Sequence, residues 1–215
     1  MTSLSFRARE LWIDTKAMAA VEFAMLMPFM LVLYVGGVEL SSGMAINVKV
    51  TEATHSVADM VSQYTQISAA QMQTVLSASA AIMAPYPVVD SSGNSLITIT
   101  VSEVSTDSGG NATVQWSRSY NGTTFGTGRS VNQVISLPSS LTGTANNNVS
   151  FILGEASYAY TPNAGYTITG TVNLRDSYYL FPRCSTNNSS FPYYDVKYTP
   201  STTCTCIQHL QLKTC

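Results

Sequence analysis

The sequence predicts an α+β protein on a membrane anchor: an N-terminal transmembrane helix that continues into a long amphipathic helix, then a further helix packed on a mainly antiparallel sheet of four to five strands. Three observations predict it. Residues 17–38 are apolar almost throughout and carry one charge, Glu22. Beyond them apolar residues recur at three- and four-residue intervals to about residue 83, the period of helices that bury one face. From residue 95 the period shortens to two, the mark of strands.

The apolar run forms a helix of roughly 33 Å at about 1.5 Å per residue, enough to cross a hydrocarbon core of about 30 Å once. Arg7, Arg9 and Lys16 precede it, whereas Lys49 is the one basic residue close behind it. The positive-inside rule therefore keeps residues 1–16 in the cytoplasm as a leader and sends the rest of the chain across. The run is too long for an ordinary signal peptide, and only Gly36, Gly37 and residues 41–43 offer small residues near its far end, so a retained anchor over residues 17–38 is expected. Glu22 is costly there, about 2.5–3.5 kcal/mol at the bilayer centre and less near the interface. Pro28 removes one backbone hydrogen bond and predicts a kink, either a break used in packing or a tolerated irregularity.

Met44, Val48, Val50, Ala53, Val57, Met60, Val61 and Tyr64 alternate at helical spacing with Lys49, Glu52, His55 and Asp59, which predicts an amphipathic stalk helix over residues 39–66. Ser68 with Gln71 is a capping-box pair, and Met72, Val75, Leu76, Ser79, Ile82 and Met83 mark the buried face of the next helix, closed by Pro85 and Pro87. Ile97, Ile99 and Val101 alternate with hydroxyl residues, Asp107-Ser-Gly-Gly-Asn111 reads as a turn, and Val114, Trp116 and Arg118 alternate again, so a hairpin is expected. A looser stretch with Gly122, Gly126 and Gly128 leads to a short strand over residues 131–137, ended by Pro138. Residues 149–160 and 166–180 are the longest strand pair, separated by a turn over residues 162–165. The α+β domain thus occupies residues 67–180, and residues 181–215 form a cysteine-rich irregular tail.

Of 215 residues only 10% are charged and the net charge is −2, so no basic patch supports nucleic-acid binding. Cys184, Cys204, Cys206 and Cys215 all lie in that tail, on the side placed outside the cytoplasm, where an even cluster reads as two disulfides. A bridge between Cys204 and Cys206 would be strained, so Cys184 joins one of them and Cys215 the other. A zinc site from Cys204, Cys206, His209 and Cys215 competes, but it lacks the usual knuckle spacing. No metal or cofactor is expected.

Met18-Ala-Ala-Val-Glu-Phe23, the apolar run and the closing Val38-Glu-Leu40 together resemble the TadE-like minor pilins of tight-adherence (Flp-type) pili. The likeness covers the first forty residues or so. Residues 152–162, Ile-Leu-Gly-Glu-Ala-Ser-Tyr-Ala-Tyr-Thr-Pro, are similar to a late strand of that family, less specifically. The resemblance implies a structural subunit of the bacterial inner membrane, with its C-terminal domain in the periplasm and possible passage into the extracellular pilus, serving surface adhesion. It implies as partners other pilin-like subunits, a prepilin peptidase and an inner-membrane assembly platform. It also implies cleavage between Ala17 and Met18, which makes Glu22 fifth and Phe23 sixth in the mature chain; Ala17 stands where the family most often has Gly. A free amine on Met18 would lie about 6 Å along the helix from Glu22. Two helices staggered by one turn could then pair the amine of one with the carboxylate of the other, setting register more than adding stability. The alternative is that Glu22 snorkels to the headgroups without a partner.

Enzyme chemistry has little to stand on, since His55 and His209 are the only histidines and no nucleophile is paired with a base. His55 reads as solvated on the polar side of the stalk. Glu155, inside an otherwise apolar strand, is expected at a sheet edge or bulge, and Trp116 as packing. Five Asn-x-Ser/Thr triplets, at Asn111, Asn121, Asn148, Asn187 and Asn188, support a rival reading as a single-pass type II membrane glycoprotein. A membrane-tethered periplasmic binding protein unrelated to pili is the other.

Overall fold

A computed structural model describes residues 15–64, 66–147, 149–162, 170–183, 196–198, 205–208 and 211–214. One helix, α1 (Thr15–Ser62), runs through the apolar segment and the amphipathic segment without interruption, with Pro28 inside it. The chain divides into two compact units whose boundary falls within α1: residues 1–44 with 161–170, and residues 45–160 with 171–215. In the first unit the helix from Met18 is long and apolar enough to cross a membrane, and its apolar side chains are exposed.

In the second unit α1 buries Ile46, Val50, Ala53, Val57 and Val61, a stripe at intervals of four, three, four and four residues. Met44 and Val48, expected on that face, are exposed. Each stands two residues from Ile46, about 200° around the helix, so neither can share its face. Met60 and Tyr64 sit half-buried at the rim. The short strand β1 (Gln66–Ile67) leads into α2 (Ala69–Met83). There the Ser68 amide donates to Gln71 Oε1 (2.9 Å) and the Gln71 amide to Ser68 Oγ (3.3 Å), closing the expected capping box. Met72, Val75, Leu76, Ser79 and Met83 are buried and Ile82 lies half-buried beside them, as the spacing requires.

Six strands make the main sheet: β2 (Ile97–Thr106), β3 (Ala112–Tyr120), β4 (Phe125–Gly126), β5 (Val134–Ile135), β6 (Ser150–Tyr160) and β7 (Val172–Leu180). The order is β4-β3-β2-β6-β7, with β5 also on β3, and every pairing is antiparallel. The architecture is α+β, as expected. The strand expected over residues 131–137 contracts to two residues, because Asn132 takes a positive φ and the segment turns before it pairs. Most of the turn expected at residues 162–165 lies outside the described residues. Near the C-terminus, β8 (Lys197–Tyr198) pairs in parallel with β1, and β9 (Thr205–Gln208) pairs with β10 (Gln211–Thr214).

Ile97, Ile99, Val101, Trp116, Tyr120, Ile152, Ala156 and Tyr158 join the buried residues of α1 and α2 in one core. Each large aliphatic side chain removed from water there contributes about 1.5–3 kcal/mol. The hairpin does not keep the simple alternation its sequence shows. Trp116 pairs with Glu103 but Val114 pairs with Val104, so Gln115 bulges and the strand reverses its faces. Trp116 consequently packs under the helices, while Ala112 joins Val104 and Leu153 in a small second cluster on the opposite face.

The helix lies close against the sheet at Gly154. A Cβ there would come within 3.1 Å of both the Thr54 carbonyl oxygen and the Ala58 methyl. Gly154→Val is expected to lower stability by about 1–3 kcal/mol by overpacking, measured by urea unfolding of the full chain in detergent.

The turn between β2 and β3 is set by Asp107. Its Oδ1 accepts the amides of Gly109 and Asn111 (both 2.8 Å), and its Oδ2 accepts Asn111 Nδ2 (2.8 Å). The Asn111 side-chain bond first, then the Asn111 amide, hold the carboxyl below the usual range. A carboxylate depressed in the folded state adds stability above its unfolded value, and that stability is lost as pH falls through the folded one. Protection of the Gly109 and Asn111 amides, corrected for intrinsic exchange, is therefore expected to fall below about pH 4, and Asp107→Ala to remove that pH dependence.

Candidate functional site

The segment that the sequence marks for function is the apolar part of α1. Ala17, Met18, Glu22 and Phe23 occupy little more than one turn and a half near its start. Met18 and Phe23 are 57% and 68% exposed, and Glu22 is exposed with them. Met18 and Glu22 are four residues apart, hence on one face, about 6 Å along the axis. Pro28 lies five residues beyond Phe23, inside a helix that continues on both sides of it. Further on, Ser41 Oγ donates to the Gly37 carbonyl (2.9 Å) and Ser42 Oγ to that of Val38 (3.0 Å), so these hydroxyls are satisfied by their own helix. What the segment offers chemically is a continuous apolar surface with a single carboxylate one turn in from Met18.

Residues 17–59 match the family model described as TadE-like protein. This part of the chain is TadE-like. The match includes Ala17, Met18, Glu22, Phe23 and Pro28, and it reaches into the part of α1 that forms the core of the second unit. Neither a curated protein nor a solved structure matched the chain. The matched segment falls on the helix that is long and apolar enough to serve as a membrane anchor.

Cys184, Cys204, His209, Cys215 and the side chain of Cys206, expected as disulfides or alternatively a zinc site, lie outside the described residues. Among the described residues no three His, Cys, Asp or Glu side chains gather as a metal site requires. His55, expected in solvent, is half-exposed, stacks on the Tyr178 ring at 3.8 Å between centroids, and has Nε2 3.8 Å from Asp176 Oδ2. Trp116 is buried as expected, and its Nε1 donates to the Val196 carbonyl (2.7 Å).

Glu155 is on an interior strand, neither at an edge nor at a bulge. Its position is made tolerable by Arg129, whose Nε and Nη2 donate to Oε2 (2.8 Å) and Oε1 (2.5 Å). These bonds hold the Arg129 guanidinium charged above its ordinary range. Burial, with the Glu155 charge adding to it, raises Tyr179 nearby. Nothing in the local pattern marks Arg129, which stands in a Gly-rich loop 26 residues from its partner. The deeper acid is Glu103, fully buried, with Oε1 accepting the Val196 amide (3.3 Å). The alternation of β2 signals that Glu103 shares a face with Ile99 and Val101; the return of residues 196–198 over that face gives its Oε1 a backbone amide. Arg129→Ala is expected to cost about 1–2 kcal/mol in urea unfolding, and Arg129→Ala with Glu155→Gln to cost less than the sum of the single changes.

Proposed function

We propose that the chain is a minor pilin-like structural subunit, anchored in the bacterial inner membrane by α1, that takes part in assembling a tight-adherence pilus and so in surface adhesion. The observation that carries this reading is the TadE-like match over residues 17–59, which falls on a helix long and apolar enough to cross a membrane. Residues 1–16 stay in the cytoplasm and the sheet-bearing part lies in the periplasm, in line with Arg7, Arg9 and Lys16 before the span. A prepilin peptidase cuts between Ala17 and Met18, and the new amine pairs with Glu22 of a neighbouring helix at the same depth. Each charge is expensive alone in low dielectric, so the pair sets the stagger of one subunit against the next. Phe23 adds apolar contact beside it, and Pro28 frees a backbone carbonyl where the helix must adapt from lipid to protein neighbours. An inner-membrane assembly platform receives the subunit.

Mass spectrometry of the mature N-terminus is expected to find Met18 first; an intact start at Met1 or Thr2 would overturn the cleavage. Glu22→Ala is expected to leave membrane insertion unchanged and to reduce co-purification with sheared pili at least several-fold. Normal incorporation of that variant would sink the pairing.

A further inference from the structure

The sheet face opposite the core carries polar side chains in cross-strand rows. Thr98, Ser157 and Arg175 stand side by side on β2, β6 and β7, and Ser119, Thr100, Glu155 and Ser177 form the next row. A strap of residues 126–130 crosses this face. It lies so close at Gly128 that a Cβ there would collide with Ser117 Oγ and Thr100 Cγ2, and the Arg129 amide is pinned to Ser117 Oγ (2.9 Å). From the strap Arg129 reaches over β2 to clamp Glu155. Between strap and β7 this leaves an open groove of about 850 Å³.

The lining defines what can enter. Hydroxyls cover the floor: Thr98, Ser157 and Ser177 can donate and accept, whereas Thr100 Oγ1 donates to Ser119 Oγ (3.1 Å) and Ser119 Oγ to the Ile99 carbonyl (3.2 Å), so these two offer lone pairs; vicinal sugar hydroxyls find both donors and acceptors here. The Arg129–Glu155 pair holds a planar carboxylate at fixed orientation, with lone pairs left for further donors. Arg175 is exposed on β7, and no described side chain pairs with it. The carboxylate of Asp176, its neighbour in sequence, lies beside His55 on the core side of the sheet. One unpaired guanidinium calls for one anionic group on the ligand, too few for a nucleic-acid backbone.

We infer that this groove binds a carboxylate-bearing saccharide, with Arg175 on the carboxylate and Thr98, Thr100, Ser157, Ser177 and Glu155 on the sugar hydroxyls. The site is independent of the assembly role of α1, so either reading can fail without the other.

The test is calorimetric titration of the full chain in detergent with a malto-oligosaccharide bearing one terminal glucuronate, against the neutral malto-oligosaccharide of equal length and inorganic phosphate. The expected result is saturable binding of the glucuronate-bearing sugar that weakens with added salt, at least tenfold weaker binding of the neutral sugar, and little competition from phosphate. Arg175→Gln is expected to weaken binding at least tenfold and Thr98→Val several-fold. Both positions are exposed, so an unchanged melting temperature is expected for each. Absence of saturable binding overturns the inference, as does unaltered affinity in Arg175→Gln. Displacement by phosphate at equal concentration reduces the groove to a general anion site and overturns it too. Should Arg175→Gln fold poorly, Thr98→Val and the phosphate competition decide.

Discussion

The second unit depends on one close approach, that of α1 to β6 at Gly154. Thr54 and Ala58 rest on backbone there, with no side chain between helix and strand. Small residues on both surfaces bring the helix axis inward, and Val50, Ala53, Val57 and Val61 can then reach complete burial along the same face. Close packing makes this contact unforgiving, because a protein interior has no slack for an added methyl group. α2 is placed by the same core: its capped start and its buried stripe of Met72, Val75, Leu76 and Met83 fill the space beside α1. The segment around Val196 closes the layer by giving Trp116 and Glu103 backbone partners.

The sheet is two-faced for different physical reasons. On the helix side, transfer of apolar surface from water dominates, and the hydroxyls of Thr54, Ser62 and Ser79 and the Trp116 indole are held by backbone carbonyls. On the other side the chain uses hydroxyls and an ion pair. Gly128 lets the strap touch the sheet, and the strap brings Arg129 within bidentate reach of Glu155. The bulge at Gln115 divides this second face: beyond it lie the apolar Val104, Ala112 and Leu153, and before it the Thr and Ser rows. The extra residue in β3 turns Ala112 onto this face beside Val104 and Leu153.

Much of this was legible because the signals were local. The capping box at Ser68 and Gln71 needs only a spacing of three and the right oxygens, and the Asp107 turn needs only its own side chain and the two glycines that follow. Length and apolarity alone marked residues 17–38, since the demand of a bilayer is one-dimensional. Met44 and Val48 face away from the core for a physical reason: a run of apolar residues on a helix admits two phases about 200° apart, and contact with the sheet chooses the one that buries Ile46. Local pattern places Glu155 at an edge or bulge because its neutralising partner is 26 residues away on a loop with no pattern of its own.

By itself the sequence determined the anchor-like helix, its lone acid at Glu22, the TadE-like character of residues 17–59, and the change from helical to strand period near residue 95. Each of these is written in the order and spacing of neighbouring residues. Only the tertiary structure decided that β6 lies beside β2, that α1 continues as a core helix seated on Gly154, and that Thr98, Arg129, Glu155 and Arg175 meet in one groove. Those facts depend on which distant segments share a surface, a choice made by burial and pairing across the whole unit and carried by no local pattern.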